Sequence, residues 1–383
     1  MELRARENKV DKEVFEELCG TIGRECVFDS IEERECYPLD VTNVKSIPDL
    51  VVMPHSTEQV SSILSIANKH NIPICTRGAG DVLPGGAVFI RGGIALDLKN
   101  MNRIVELNAR DLMVTVEPGV VTKDLHDEVE KFRLFYPPES GNAGLSTIGE
   151  RVAECTGGTT GMKYGVTRDY VLALEVVLPD GSVINVGRKT LKSVAGYDLT
   201  RFFVGSEWTL GVFTRITLKL LPMPEKIGTV MSCFEDIESA RNVADSILVK
   251  SHLNPRALEF ADKICIDAVR ETDKEKIPDE AEALLLIEID GNEKNVTNDI
   301  SGIDAICREN NALNTLIAYT DEERNRLCDI RKSIFPSLSK VASVRFNRRT
   351  NMSELTPHEA GIMKDLKKIF DPKGIMNQGK IFV

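Results

Sequence analysis

Thr76-Arg77-Gly78-Ala79-Gly80-Asp81-Val82-Leu83-Pro84-Gly85-Gly86-Ala87 is the stretch whose reading decides the fold. It follows the apolar run Ile72-Pro73-Ile74-Cys75 and crowds small residues into one turn. Glycine and alanine let backbone N–H groups come close to a ligand, and glycine tolerates positive φ. A loop of this kind is a cradle for phosphate oxygens. Upstream, Asp49-Leu50-Val51-Val52-Met53 reads as a strand. Ser56-Thr57-Glu58-Gln59 then opens a helix whose core face is Val60, Ile63, Leu64, Ile66 and Ala67. Asn71 and Pro73 end it, so the loop closes a strand–helix–strand unit.

Outward from the loop, the N-terminal helix spans about residues 10–20, with Val10, Val14, Phe15 and Leu18 on one face. Residues 21–47 read as irregular. Downstream, segments 93–98, 103–107 and 113–117 read as a three-stranded meander, followed by a helix at 122–132. The glycine-rich stretch 141–161 lacks periodicity and reads as a long, functional loop. Segments 170–178 and 183–186 form a hairpin around Pro179-Asp180-Gly181-Ser182. A helix at 195–204 and a long strand at 211–220 follow. From 227 to 335 strand and helix alternate four times, the pattern of a small, open-faced α+β sandwich. The last helix opens at Thr356-Pro357-His358-Glu359, with a cap, an N1 proline and an N3 glutamate.

The 383 residues provide for two or three domains. A net charge of −11 argues against a nucleic-acid backbone as partner. No run of 18 apolar residues is present, so no membrane span is expected, and no apolar leader opens the chain. The nine cysteines contain no CxxC pair and read as free thiols of a reducing cytoplasm. Cys19, Cys26 and Cys36 lie closest together, at spacings that match no cluster motif. Arg345, Arg348 and Arg349 form a basic cluster, read equally as a solvated loop or an anion contact.

Several segments together carry a resemblance. They are Thr76–Ala87, Tyr136-Pro137-Pro138, Ser146-Thr147-Ile148-Gly149, residues 163–171, residues 194–201, and Phe370-Asp371-Pro372-Lys373-Gly374-Ile375-Met376-Asn377-Gln378-Gly379-Lys380-Ile381-Phe382. The chain resembles FAD-linked oxidases with the vanillyl-alcohol-oxidase-type (PCMH-type) FAD-binding domain, the glycolate oxidase flavoprotein subunit and the FAD-linked D-lactate dehydrogenases among them. The resemblance implies an α+β fold: a lead-in at 1–46, a two-subdomain FAD-binding domain at 47–225, and a shortened ferredoxin-like cap at 226–340. A segment at 341–383 would return to the FAD domain.

It also implies a cofactor site for FAD. Arg77, Gly78, Ala79, Gly80, Asp81, Val82 and Leu83 would wrap the pyrophosphate. Pro138, Ser146, Thr147, Gly149, Val152, Gly157 and Gly158 would line the flavin and ribityl chain. Val212 would lie near the adenine, and Asn377 would come from the return segment. The partners implied are an electron-transfer flavoprotein, an iron–sulfur subunit or an intact paralogue, in a hetero-oligomer.

This chain departs from the family where the cofactor would lie. Asp81-Val82 stands for Thr-Gly, Pro84 for a small hydroxyl residue, and Glu150-Arg151 for Gly-Asn. Cys155-Thr156 stands for Asn-Ala, and Trp208 for Gly. Each adds bulk or charge. The family's metal- and substrate-binding histidine segments have no counterpart among His55, His70, His126, His252 and His358. Too few residues lie between 335 and 357 to hold the missing cap segments, so no catalytic residue is assigned. Two readings stand side by side: an FAD-containing subunit that relays electrons, and a flavin-free structural paralogue.

Overall fold

The computed structural model describes residues 10–37, 47–80, 89, 92–138, 142–270, 277–341 and 355–381. The first lobe contains α1 (Lys12–Ile22), β1 (Val27–Phe28), α2 (Ile31–Arg34), β2 (Leu50–Val52), α3 (Thr57–His70), β3 (Ile74–Arg77) and β4 (Ile94–Asp97). Its sheet runs β1-β2-β4-β3, with β2, β4 and β3 parallel and β1 antiparallel. Every residue of β2, β3 and β4 is buried. Helices cover parallel strands on both faces, so these strands read as continuous apolar runs rather than alternation. Ser56 caps α3 by accepting from the Gln59 N–H at 3.3 Å. Asn71 ends it at φ 54, and Pro73 forbids its continuation.

The second lobe contains β5 (Ile104–Asn108), β6 (Met113–Val116), α4 (Thr122–Glu130), β7 (Leu134–Phe135), α5 (Ile148–Glu154) and α6 (Gly161–Tyr164). It continues with β8 (Val171–Val177), β9 (Val183–Gly187), α7 (Leu199–Phe203), β10 (Val212–Lys219) and β11 (Leu221–Pro222). The antiparallel sheet has the order β5-β6-β10-β8-β9, and β11 pairs β7.

Four expectations change. The meander does not form: β4 joins the first sheet, while β5 and β6 join the second. The Lys99–Arg103 turn that separates β4 from β5 is where the chain changes lobes. The 21–47 stretch contributes β1, which pairs Val27 with Val52. The 141–161 loop contains α5, capped by Thr147. The helix at 195–204 shrinks to α7, because Gly196 sits at φ 75.

The cap contains β12 (Lys226–Phe234), α8 (Ile237–Asp245) with a π-helical turn at Ser246–Lys250, β13 (Ala257–Asp262), α9 (Lys263–Arg270) and β14 (Ala283–Gly291). It ends with α10 (Glu293–Glu309), β15 (Ala312–Ala318) and α11 (Asp321–Val341). The antiparallel order β13-β14-β12-β15 is ferredoxin-like. The sheet is not open-faced. Val230, Leu285 and Ile287 pack with Val243, Ile300 and Ile303 on one side. On the other, Met231, Leu284 and Leu286 pack with Ile266, Leu327 and Ile330. Strand β14 is buried along almost its whole length because both faces are used.

The last helix, α12 (Pro357–Phe370), carries the full capping box between Thr356 and Glu359. Beyond it the chain returns to the first lobe. Asp371 accepts from the N–H groups of Ile375 and Met376 at 3.0 and 2.8 Å. Lys367 donates to the Thr209 carbonyl at 2.6 Å and pairs with Asp371; burial pushes its pKa down. Ile74 donates to Ile375, and Asn377 donates from its backbone to Ile74, both at 2.8 Å. The Asn377 amide then accepts from Thr76 N–H at 2.9 Å and donates to Thr76 C=O at 3.3 Å. Replacing Asn377 by alanine leaves two buried backbone groups unmet and is expected to cost about 2 kcal/mol in chemical denaturation. A loss under about 0.5 kcal/mol would show that edge pairing alone holds the segment.

Candidate functional site

Strand β3 delivers Gly78, Ala79 and Gly80 at its C-terminal end, where ligands meet parallel sheets. Gly80 sits at φ 75, which turns three successive N–H groups toward one point. The side chains of Thr147 and Glu150, at the start of α5, reach the same point. Gly149 lets the start of α5 lie close against Pro118, where a Cβ would stand 2.6 Å from Pro118 Cβ. Gly78 is equally constrained, since a Cβ would lie 2.2 Å from Thr147 Oγ1.

The nest holds an anion from the chain itself. Glu150 Oε1 accepts from Gly78 N–H at 2.9 Å and from Gly80 N–H at 2.7 Å. Its Oε2 accepts from Ala79 N–H at 3.0 Å and from the Thr147 hydroxyl at 3.3 Å. The carboxylate is 3% exposed. Three backbone donors and one hydroxyl therefore converge on a single carboxylate, the arrangement that suits a phosphate.

The structure brings together some of the site residues named from the sequence. Gly78, Ala79, Gly80 and Thr147 build the nest, Gly149 packs on Pro118 instead, and Asn377 holds Thr76 immediately before the nest. Arg77 does not face the nest: it donates to the Tyr37 carbonyl at 3.1 Å and lies over the Tyr37 ring. Asp81, Val82, Leu83 and Pro84 lie outside the described residues, as do Arg345, Arg348 and Arg349. The Pro138 carbonyl accepts from the fully buried Arg151 at 2.9 Å. Ser146 bonds Thr122 at 3.1 Å. Gly157 and Gly158 form the turn after α5, where Gly158 C=O accepts from Gly161 N–H at 3.0 Å. Val152 and Val212 are wholly inside the first core. Trp208 is also core: it packs on Phe213 at 4.8 Å, with its backbone at φ 61.

Sequence reasoning missed a second feature. A cavity of about 410 Å³ lies between the cap sheet and helices α9 and α11. Met231, Leu286, Ile266 and Ile330 are among its apolar walls, and Asn142 reaches it from the second lobe. Its mouth carries an ion pair, Arg331 Nε to Glu259 Oε2 at 2.7 Å. Cys265 lines it too, with a thiol pushed up by burial and then by its bond to Asp262. The apolar spacing of Leu327, Ile330 and Ile334, with Arg331 beside it, was the available signal. Among the described residues no three His, Cys, Asp or Glu side chains gather as a metal site.

An FAD binding domain model matches residues 48–187, and a model for the C-terminal domain of FAD-linked oxidases matches 223–347 and 346–381. The glycolate oxidase subunit GlcD of Bacillus subtilis (strain 168) is 42% identical over 334 residues, 87% of this chain and 71% of the relative. The chain belongs to the FAD-linked oxidase family. Within this family, a D-lactate dehydrogenase of Anaerostipes hadrus is 35% identical over 82% of this chain and 67% of the relative. The Escherichia coli (strain K12) glycolate oxidase subunit GlcD is 34% identical over 77% of this chain and 59% of that subunit. Alkyldihydroxyacetonephosphate synthase shares the fold at a TM-score of 0.78 and 17% identity, over 99% of this chain and 86% of that one. p-Cresol methylhydroxylase gives 0.71 and 18%, over 84% and 70%.

FAD is the cofactor expected of this family. The nest tests whether these residues accept it. If the pyrophosphate lies where the resemblance implies, it would need the N–H groups that Glu150 already uses. Two anions about 4 Å apart repel by about 4 kcal/mol at an effective dielectric near 20. As folded here, the Gly78–Gly80 nest, filled by Glu150, does not fit a pyrophosphate.

Proposed function

We propose that this member of the 2-hydroxy-acid oxidase family serves as a non-autonomous subunit: a structural paralogue in a hetero-oligomer with a flavin-bearing chain. The observation that carries the reading is the Glu150 carboxylate in the Gly78–Gly80 nest. In such an assembly the flavin-bearing paralogue would oxidise the hydroxy acid. An electron-transfer flavoprotein or iron–sulfur partner would take the electrons. The present chain would contribute its surface and its cap. The split of the C-terminal family match at residues 346–347 supports a cap that lacks internal segments of its relatives. All nine cysteines are free thiols, in keeping with a reducing, cytoplasmic setting. Among the described residues no helix is long and apolar enough to cross a membrane.

A second reading, an FAD-bearing subunit that relays electrons, is favoured by the intact backbone of the nest. Here the loop from Arg77, with Pro138, Ser146, Thr147 and Gly149, would hold the cofactor. Dye-coupled assays with glycolate and D-lactate, with FAD supplied, decide between the two. The chain alone is expected to show no turnover, and a rebuilt assembly to show it only when the flavin-bearing relative is present. Turnover by the chain alone would remove the first reading.

A further inference from the structure

We propose that α12 and the loop before α7 form one docking face, and that its occupant is a second copy of this chain, with the two α12 helices antiparallel. None of the 14 residues of α12 is buried. Its apolar anchor is Phe370, whose ring centroid lies 5.5 Å from those of Phe202 and Phe203 in α7. Ile362, Leu366 and Ile369 recur at helical spacing along one face. They belong to none of the apolar clusters that the described residues form. Ile362 is 50% exposed and Ile369 72%. A surface helix ordinarily turns such a stripe onto a core, and a contiguous bare patch marks a contact surface.

The apolar surface continues onto α7. Leu199 stands one turn before Phe202, on the same side of that helix, and is itself exposed. In the loop ahead of it Val194 is 88% exposed and Tyr197 96%. Helix α12 alone is about 21 Å long and presents roughly 200 Å² on one face. A stable interface takes about 800 Å² from each partner. The helix by itself is too small, and the adjoining loop and α7 bring the face toward the size a weak dimer needs.

The pattern of α12 suits its own copy. An antiparallel partner sets Leu366 against Leu366 and Ile362 against Ile369. The flanking charges match in the same arrangement. Asp365 and Lys368 pair at 3.1 Å within one helix, and both side chains are 74% exposed. Across the two-fold axis each would lie beside the opposite charge of the other copy. Such an arrangement closes on itself and leaves no stripe bare. It does not depend on whether flavin is bound.

Sedimentation equilibrium of the full chain tests the proposal. A monomer–dimer equilibrium with a Kd of about 10 µM is expected. Ile369→Glu is expected to weaken it at least about tenfold, because a charge would enter an apolar contact. The melting temperature of the dilute, monomeric protein should not change. Ile264→Glu, at a residue of α9 that is 69% exposed, is expected to leave the dimer intact. Lys368→Asp is expected to weaken the dimer about threefold, and adding Asp365→Lys to restore it. A chain that stays monomeric at about 100 µM would overturn the proposal. So would a dimer indifferent to Ile369→Glu, or one lost equally in the Ile264 variant. A fall in the melting temperature of monomeric Ile369→Glu would return the stripe to the fold of a single chain. Failure of the double charge exchange to restore the dimer would overturn the antiparallel pairing.

Discussion

Replacing Glu150 by glycine is expected to raise the affinity for FAD by about three decades. The estimate follows from the repulsion of about 4 kcal/mol between two anions sharing one seat, at about 1.4 kcal/mol per decade. The N–H groups of Gly78, Ala79 and Gly80 would then be free for the pyrophosphate, and Thr147 would keep its place at the start of α5. The substitution should also cost stability in the absence of ligand. Three inward-facing donors would lose a charged acceptor, worth about 2 kcal/mol after water has partly replaced it. Added FAD should restore that loss. Fluorescence titration and melting curves measure the two effects on one sample. An unchanged FAD affinity together with the predicted drop in stability would mean that Glu150 is not what closes the seat.

Replacing Asp290 by alanine is expected to have the largest effect on the union of cap and second lobe. Asp290 projects from β14 with no side-chain exposure and accepts from Lys163, Tyr164 and Arg256. Lys163 and Tyr164 belong to α6 of the second lobe, so one carboxylate joins two units. Burial, and then its bond to Asp290, push the Tyr164 hydroxyl upward, so it stays a donor at any ordinary pH. Removing one partner of a buried ionic cluster costs about 3 kcal/mol or more. Lys163, 22% exposed, would recover part of that by turning to water. Chemical denaturation should show the cap melting ahead of the remainder, and limited proteolysis should cut first near residue 225. A single unfolding transition displaced by under about 1 kcal/mol would show that apolar contacts hold the joint.

Local rules made most of the elements legible. Ser56 and Thr356 each cap a helix through a side-chain oxygen, as read from the sequence, whereas the Thr147 cap of α5 went unread. The alternating cap was readable because every strand and helix there keeps its own period. What failed was long-range. Nothing in 93–117 announces that β4 and β5 belong to different sheets, because the switch is a matter of partners rather than propensity. The second covered face of the cap was hidden because its helices are not sequence neighbours: α9 comes before β14, and α11 comes only after α10 and β15.

The site was half legible. The small residues of the loop pointed to an anion, and the substitution of Glu150 for a small residue pointed to crowding. That the two cancel one another could be seen only once β3 and the start of α5 were placed together. Trp208 shows the opposite error. It reads as an obstruction in the cleft, yet its ring is spent inside the first core on Phe213.

The flavin content of the purified wild-type chain is the most direct measurement. After incubation with excess FAD and desalting, the protein is expected to be colourless and to release no flavin on acid denaturation. A yellow protein carrying one FAD per chain, with Glu150 unaltered, would contradict a seat filled by the chain's own carboxylate.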